Sequence, residues 1–244
     1  MKIVVVKDYK ELSKTAAKII VDGVKEKPNT VLGLATGSTP IGTYEEIIRY
    51  HKDENVDFSE VVTFNLDEYI GLGKDHEGSY NYFMNEHLFN HININKENIH
   101  IPDGLVDEDK IDEYVKEYDR EIEDAGGIDI QLLGIGSNGH IGFNEPAEEL
   151  SSGTCVIELT DSTLKDNLKY FDHIDEVPRT AITLGMGGIM KAKKIVMIIN
   201  GKNKHKVVKD LLEKDVITTK LPASLLRLHR DATIIIDEEA YYGE

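Results

Sequence analysis

IDIQLLGIGSNGHIGFNEP, residues 128–146, is the stretch that decides the fold. Residues 128–135 form a short apolar run of the kind that becomes a strand buried on both faces of a parallel sheet. The run empties into a loop with Asn138, His140 and Glu145 spaced among Gly136, Gly139 and Gly142. Glycines there free the backbone for conformations that other residues avoid. Open α/β sheets bind ligands outside the carboxyl ends of their strands. One segment therefore predicts both an architecture and a place for chemistry.

The same alternation extends in both directions. Strand-like runs occur at 2–6, 30–35, 61–66, 180–184, 194–200 and 232–237, with helical periodicity at 9–25, 40–51, 79–90, 107–124 and 202–213. Residues 155–160 read as a further strand and 161–169 as a helix after it. This pattern predicts a doubly wound, mostly parallel, three-layer Rossmann-like α/β fold. No Pro/Gly/Ser-rich linker or fixed-period repeat breaks residues 1–244, so a single domain is expected. A chain of this length buries about 70–75% of its unfolded surface, enough for a core without staples.

Composition excludes several classes. A formal charge of −17 opposes non-specific nucleic-acid binding, and it fits solvated helix faces such as 106–124. An anionic ligand needs local donors to overcome that field. Cys155 is the single cysteine, so no intrachain disulfide can form; its apolar setting reads as a small buried hydrophobe. No run of 18 apolar residues occurs, and the sequence opens on a strand-like KIVVV. No membrane segment and a cytoplasmic location are expected.

Three strand ends carry polar residues. After the second run come Thr36, Gly37, Ser38 and Thr39, then Pro40. Pro40 suits the first helical position and Thr39 the N-cap. Three hydroxyls around one glycine at a helix start suggest a cradle for a single phosphate. No GK[ST] follows as a nucleotide P-loop requires. After the third run come Asp67 and Glu68, which a strand-like backbone points to opposite sides. Asp67 is expected to face the pocket as a general base, with Glu68 anchoring the loop. In the third loop His140 can exchange protons near neutrality, and Glu145 is placed to orient it. GIGSNG in that loop matches G-x-G-x-x-G literally, but the following HIGFNEP has no helical period, so a dinucleotide site is not expected.

His87 and His91 are four apart on a predicted helix, but Leu88 stands where a zinc-protease glutamate would. They read as packing or surface histidines, and no metal is expected. Lys202, Lys204 and Lys206 cluster near the start of a helix, an unfavourable place unless an anion binds there. Lys204 is the one placed to reach a phosphate.

Together TFNLDEYIGL, GIGSNGHIGFNEP, GLATGSTPIGTYEEI and Lys204 resemble the glucosamine-6-phosphate deaminase family nearly end to end. The resemblance implies conversion of glucosamine 6-phosphate and water to fructose 6-phosphate and ammonia, without a cofactor. It implies Asp67 as the base moving a proton from C2 to C1 and His140 as the group opening the pyranose ring. Glu145 then tunes that imidazole, and Thr36, Gly37, Ser38, Thr39 and Lys204 hold the phosphate. Two positions depart from some members, although others also carry Asn at the first. Asn138 replaces an aspartate, leaving the charge support of His140 to Glu145, and Lys169 replaces a phosphate-binding arginine, losing the bidentate fork. Cys155 and Ile157 stand where allosteric hexamers carry basic residues. With the end at Glu244, the resemblance implies the short, non-allosteric type, often monomeric. Two alternatives are a 6-phosphogluconolactonase-like hydrolase and a sugar-phosphate sensor; the latter would need a DNA-binding domain not present in this sequence.

Overall fold

The computed structural model describes residues 1–160, 164, 171, 173 and 176–244. Strands β1 (Lys2–Val6), β2 (Val31–Leu34), β3 (Val62–Asn65), β5 (Ile99–His100), β6 (Ile130–Leu133), β9 (Lys194–Ile199) and β10 (Ala232–Asp237) pair in parallel in the order β1-β10-β9-β6-β2-β3-β5. A smaller antiparallel sheet joins β4 (Asp67–Tyr69), β8 (Thr180–Thr183) and β7 (Cys155–Glu158) in the order β4-β8-β7. The 180–184 run is thus a strand as expected, but it lies outside the parallel sheet.

The period-2 rule makes the three layers. On β9, Ile195, Met197 and Ile199 face one apolar cluster while Val196 and Ile198 face the other. The first cluster is covered by α4 (Ile111–Asp124), α5 (Met186–Met190), α6 (His205–Glu213) and α7 (Glu238–Tyr242). The second is covered by α1 (Tyr9–Glu26), α2 (Ile41–Glu54) and α3 (Tyr80–His87). Helix α1 shows why: Leu12, Ala16, Ala17, Ile20, Val21 and Val24 fall on one stripe and are buried. Asp8 starts it by accepting a 2.9 Å hydrogen bond from Glu11 N, a cap worth about 1 kcal/mol.

Several helices are shorter than their periodicity suggests. Helix α3 stops at His87, followed by a 3-10 turn over Phe89–His91, and α4 starts at Ile111 rather than 107. The 202–213 segment opens as a 3-10 turn, Lys202–Lys204, before α6. The helix expected at 161–169 lies outside the described residues. Cys155 is partly rather than fully buried, on β7. Among the described residues no helix is long and apolar enough to cross a membrane.

The topology positions the site. From β2 the chain steps outward to β3 and β5, then returns to lay β6 on the other side of β2. The order reverses between β2 and β6, and ligands in doubly wound sheets sit in the crevice at that point.

Candidate active site

At the end of β3, Asp67 and Glu68 diverge as a strand requires. Glu68 is the anchor: its carboxylate accepts from the backbone N–H groups of Tyr69, Tyr80 and Asn81, each at 2.9 Å, which fastens the start of α3. Asp67 turns the other way. Its Oδ2 and the Thr183 hydroxyl both border Gly142: a side-chain carbon on that glycine would lie 3.3 Å from the first and 3.2 Å from the second. Thr183 sits opposite Asp67 across the β4–β8 pair and accepts from Phe143 N at 3.2 Å. The loop bearing His140 is thereby laid against the Asp67 carboxylate.

Asp67 is only 6% exposed, and among the described residues it makes no ion pair. Burial, reinforced by the like charge of Glu68, pushes its carboxyl up to about 8. Burial also lifts Glu68, to about 7, but three backbone donors oppose the rise. No such opposing hydrogen bond is among the causes of the Asp67 rise. Tyr44, Tyr80 and Tyr118 stand close enough to feel its charge, and burial raises all three phenols above their ordinary range.

The loop after β6 is a tight turn. Gly136 N donates to His140 O at 2.9 Å and Gly139 N to Gly136 O at 3.0 Å. Gly139 has φ +91, a left-handed conformation that favours glycine. His140 Nδ1 lies 3.1 Å from Glu145 Oε1, with both side chains mostly buried. The pair does not have the alignment of a hydrogen bond, so this is a close polar contact. Such contacts commonly tighten only when substrate arrives. Asn138 clamps the pair: its Nδ2 donates to Glu145 Oε2 at 2.7 Å, and its Oδ1 accepts from the His140 backbone N at 3.2 Å. The amide thus orients backbone and carboxylate, while the ring relies on Glu145.

The turn after β2 is more open. Ser38 is exposed, and Thr36, Gly37 and Thr39 are half-buried. Gly37 has φ +98 and free space where a side chain would be. Thr39 is not the N-cap expected from the sequence. Pro40 takes that position, one residue on, and the Thr39 hydroxyl donates instead to Asn200 Oδ1 at 2.9 Å. The helix start is not fully open either, because Gly42 N donates to the Tyr9 hydroxyl at 2.8 Å. Tyr9 in turn lies 3.2 Å and 3.0 Å from the carbonyls of Ser38 and Thr39, bracing the turn from beneath. Lys204 Nζ donates to Ile135 O at 2.8 Å, which sets the ammonium at the carboxyl end of β6.

These contacts link the ends of four neighbouring strands. Thr39 meets Asn200 past β9, Lys204 meets Ile135 past β6, and Gly142 meets Asp67 past β3. Lys169 lies outside the described residues. Sequence reasoning missed Tyr9, Asn200 and Thr183. Asn200 had a weak signal, as a polar residue ending an apolar run; Tyr9 and Thr183 had none. His87 packs its ring 4.4 Å from Phe83, and His91, at the surface, has its Nε2 2.8 Å from Glu86 O.

Residues 7–235 match the family model for glucosamine-6-phosphate isomerases/6-phosphogluconolactonase. A glucosamine-6-phosphate deaminase of Thermoanaerobacter sp. (strain X514) is 56% identical over 240 residues, 98% of this chain and 94% of that protein. One of Clostridium perfringens is 53% identical, with 98% of each chain covered. Among solved structures, a monomeric glucosamine-6-phosphate deaminase superposes with a TM-score of 0.96 at 45% identity, covering both chains completely. A 6-phosphogluconolactonase of Trypanosoma cruzi reaches 0.75 at 21% identity over 99% of this chain and 96% of that one, a likeness of fold.

Proposed function

Because the chain belongs to the glucosamine-6-phosphate isomerase/6-phosphogluconolactonase family, we infer that it works as a glucosamine-6-phosphate deaminase. It converts glucosamine 6-phosphate and water to fructose 6-phosphate and ammonia. The overall change is an isomerisation and a hydrolysis, with no net electron transfer.

The residues divide the work as follows. Thr36, Gly37, Ser38, Thr39 and Lys204 hold the phosphate through hydroxyls, backbone N–H groups and one ammonium. His140 moves a proton from the anomeric hydroxyl to the ring oxygen, opening the pyranose; Glu145 balances the charge on the imidazole, and Asn138 fixes both. Ionised Asp67 then removes the C2 proton and returns it to C1, while O1 gains a proton and the amino nitrogen loses one, so that the aldehyde becomes a hydroxymethyl group and the amine an imine. Burial strengthens Asp67 as a base near neutral pH. The ketose imine so formed takes up water at C2 and expels ammonia.

The observation that carries this division is the buried Asp67 carboxylate against the loop that bears His140 and Glu145. An ester-hydrolysing lactonase has no use for a base at C2. The monomeric state of the 45%-identical neighbour supports a monomer, and the single cysteine fits a reducing cytoplasm. The test is a coupled assay with glucosamine 6-phosphate and, in parallel, 6-phosphogluconolactone. Stoichiometric ammonia and fructose 6-phosphate are expected. Lactone hydrolysis without ammonia release contradicts the deaminase.

A further inference from the structure

Two glycines in the loop after β6, Gly134 and Gly136, lie outside the left-handed region, since neither has a positive φ. Their surroundings differ sharply. A side-chain carbon on Gly134 would meet nothing within 4 Å. One on Gly136 would lie 2.2 Å from Cε1, 2.3 Å from Nε2 and 2.4 Å from Nδ1 of His140. Three ring atoms at that separation mean that the imidazole occupies the space a side chain would fill.

We propose that Gly136 is the positioning residue for His140: its missing side chain is the seat on which the imidazole lies. The φ there does not call for glycine, and the imidazole is what the position accommodates. The seat holds the ring where Nδ1 meets Glu145 at 3.1 Å, and the Gly136 N–H to His140 O bond ties the two residues into one turn. An alanine at 136 leaves the backbone able to adopt the same angles but forces the ring to rotate away. The part of this proposal that concerns turnover rests on His140 as the ring-opening group. The steric part does not.

The test separates the two. Thermal midpoints of the wild type, G136A, H140A and G136A/H140A form a double-mutant cycle, with G134A as control. G136A is expected to lower the midpoint when His140 is present and to leave it unchanged in the H140A background, where the new methyl enters vacated space. G134A is expected to match the wild type. An equal loss in both backgrounds, or a double variant that does not fold, overturns the proposal. A G136A protein that folds only once His140 is removed supports it.

Turnover is then compared on glucosamine 6-phosphate and its 4,5-dideoxy analogue, which lacks the hydroxyls that close a furanose or a pyranose ring. Misplacement of a reacting group by about 1 Å costs about 10²-fold. G136A is expected to lose about that factor on the cyclic substrate and to stay within about threefold of the wild type on the analogue. Equal losses on both overturn the positioning of a ring-opening group. If H140Q also loses both equally while the stability cycle still couples the two residues, the seat stands and the ring-opening assignment falls.

Discussion

The ends of β2 and β3 lie side by side in the sheet, with Leu34 registered against Asn65, yet they offer opposite environments. Past β2 the Thr36–Thr39 turn is partly open to solvent and braced by Tyr9 from below. Past β3 Asp67 is sealed among tyrosines and the Gly142 loop, with a second carboxylate next in the chain. A phosphate brings two charges that prefer many donors and some water. A carboxylate that must take a proton from carbon gains basicity by losing water. The fold supplies a wet end and a dry end past adjacent strands, which the proposed function uses for holding and for reacting.

The largest effect that would sharpen this contrast lies at the dry end. Asp67→Asn is expected to lower turnover with glucosamine 6-phosphate by roughly 10²–10⁴-fold with little change in KM, measured by ammonia release. A variant with wild-type turnover would break the contrast. At the wet end, Lys204→Met would remove the charge-assisted contact proposed to the phosphate, worth about 1.5–3 kcal/mol, so KM should rise roughly 10–100-fold with turnover less affected. A fall in turnover alone would move Lys204 from holding to reacting.

The remaining effect is on stability. The Asp67 carboxyl is raised from its ordinary value near 3.8 to about 8. Between those values the unfolded chain has lost a proton that the folded chain keeps, so the folded state loses stability as pH rises from about 4 to about 8. Asp67→Asn removes that dependence. Relative to wild type, the variant should gain stability steadily as pH rises from about 4 to about 8, read from denaturant unfolding at each pH. A constant difference across that range would mean that the site is wetter than its burial indicates.

Much of the sheet was legible because its strands are short apolar runs ending in polar loops, as at β2, β3, β6 and β9. The small antiparallel sheet was not. Its β4 is only Asp67–Tyr69, too short for a pattern, and β8 reads the same whether it pairs in parallel or antiparallel. Strand β5, two residues long, has no periodicity to read. In the site, the divergence of Asp67 and Glu68 follows from strand geometry alone. The misplaced cap at Thr39 has a different origin. Its hydroxyl had two possible partners, the helix start and Asn200, and only tertiary structure brings the second within reach. The seat at Gly136 was hidden for the same reason, since a sequence shows that a residue is glycine but not what fills the space.

A crystal structure with the reduced open-chain amino-alditol 6-phosphate tests most directly whether the two ends act on one sugar. The phosphate should lie in the Thr36–Thr39 turn within reach of Lys204, with C2 facing the Asp67 carboxylate. A phosphate bound elsewhere, or a C2 turned away from Asp67, would contradict the account.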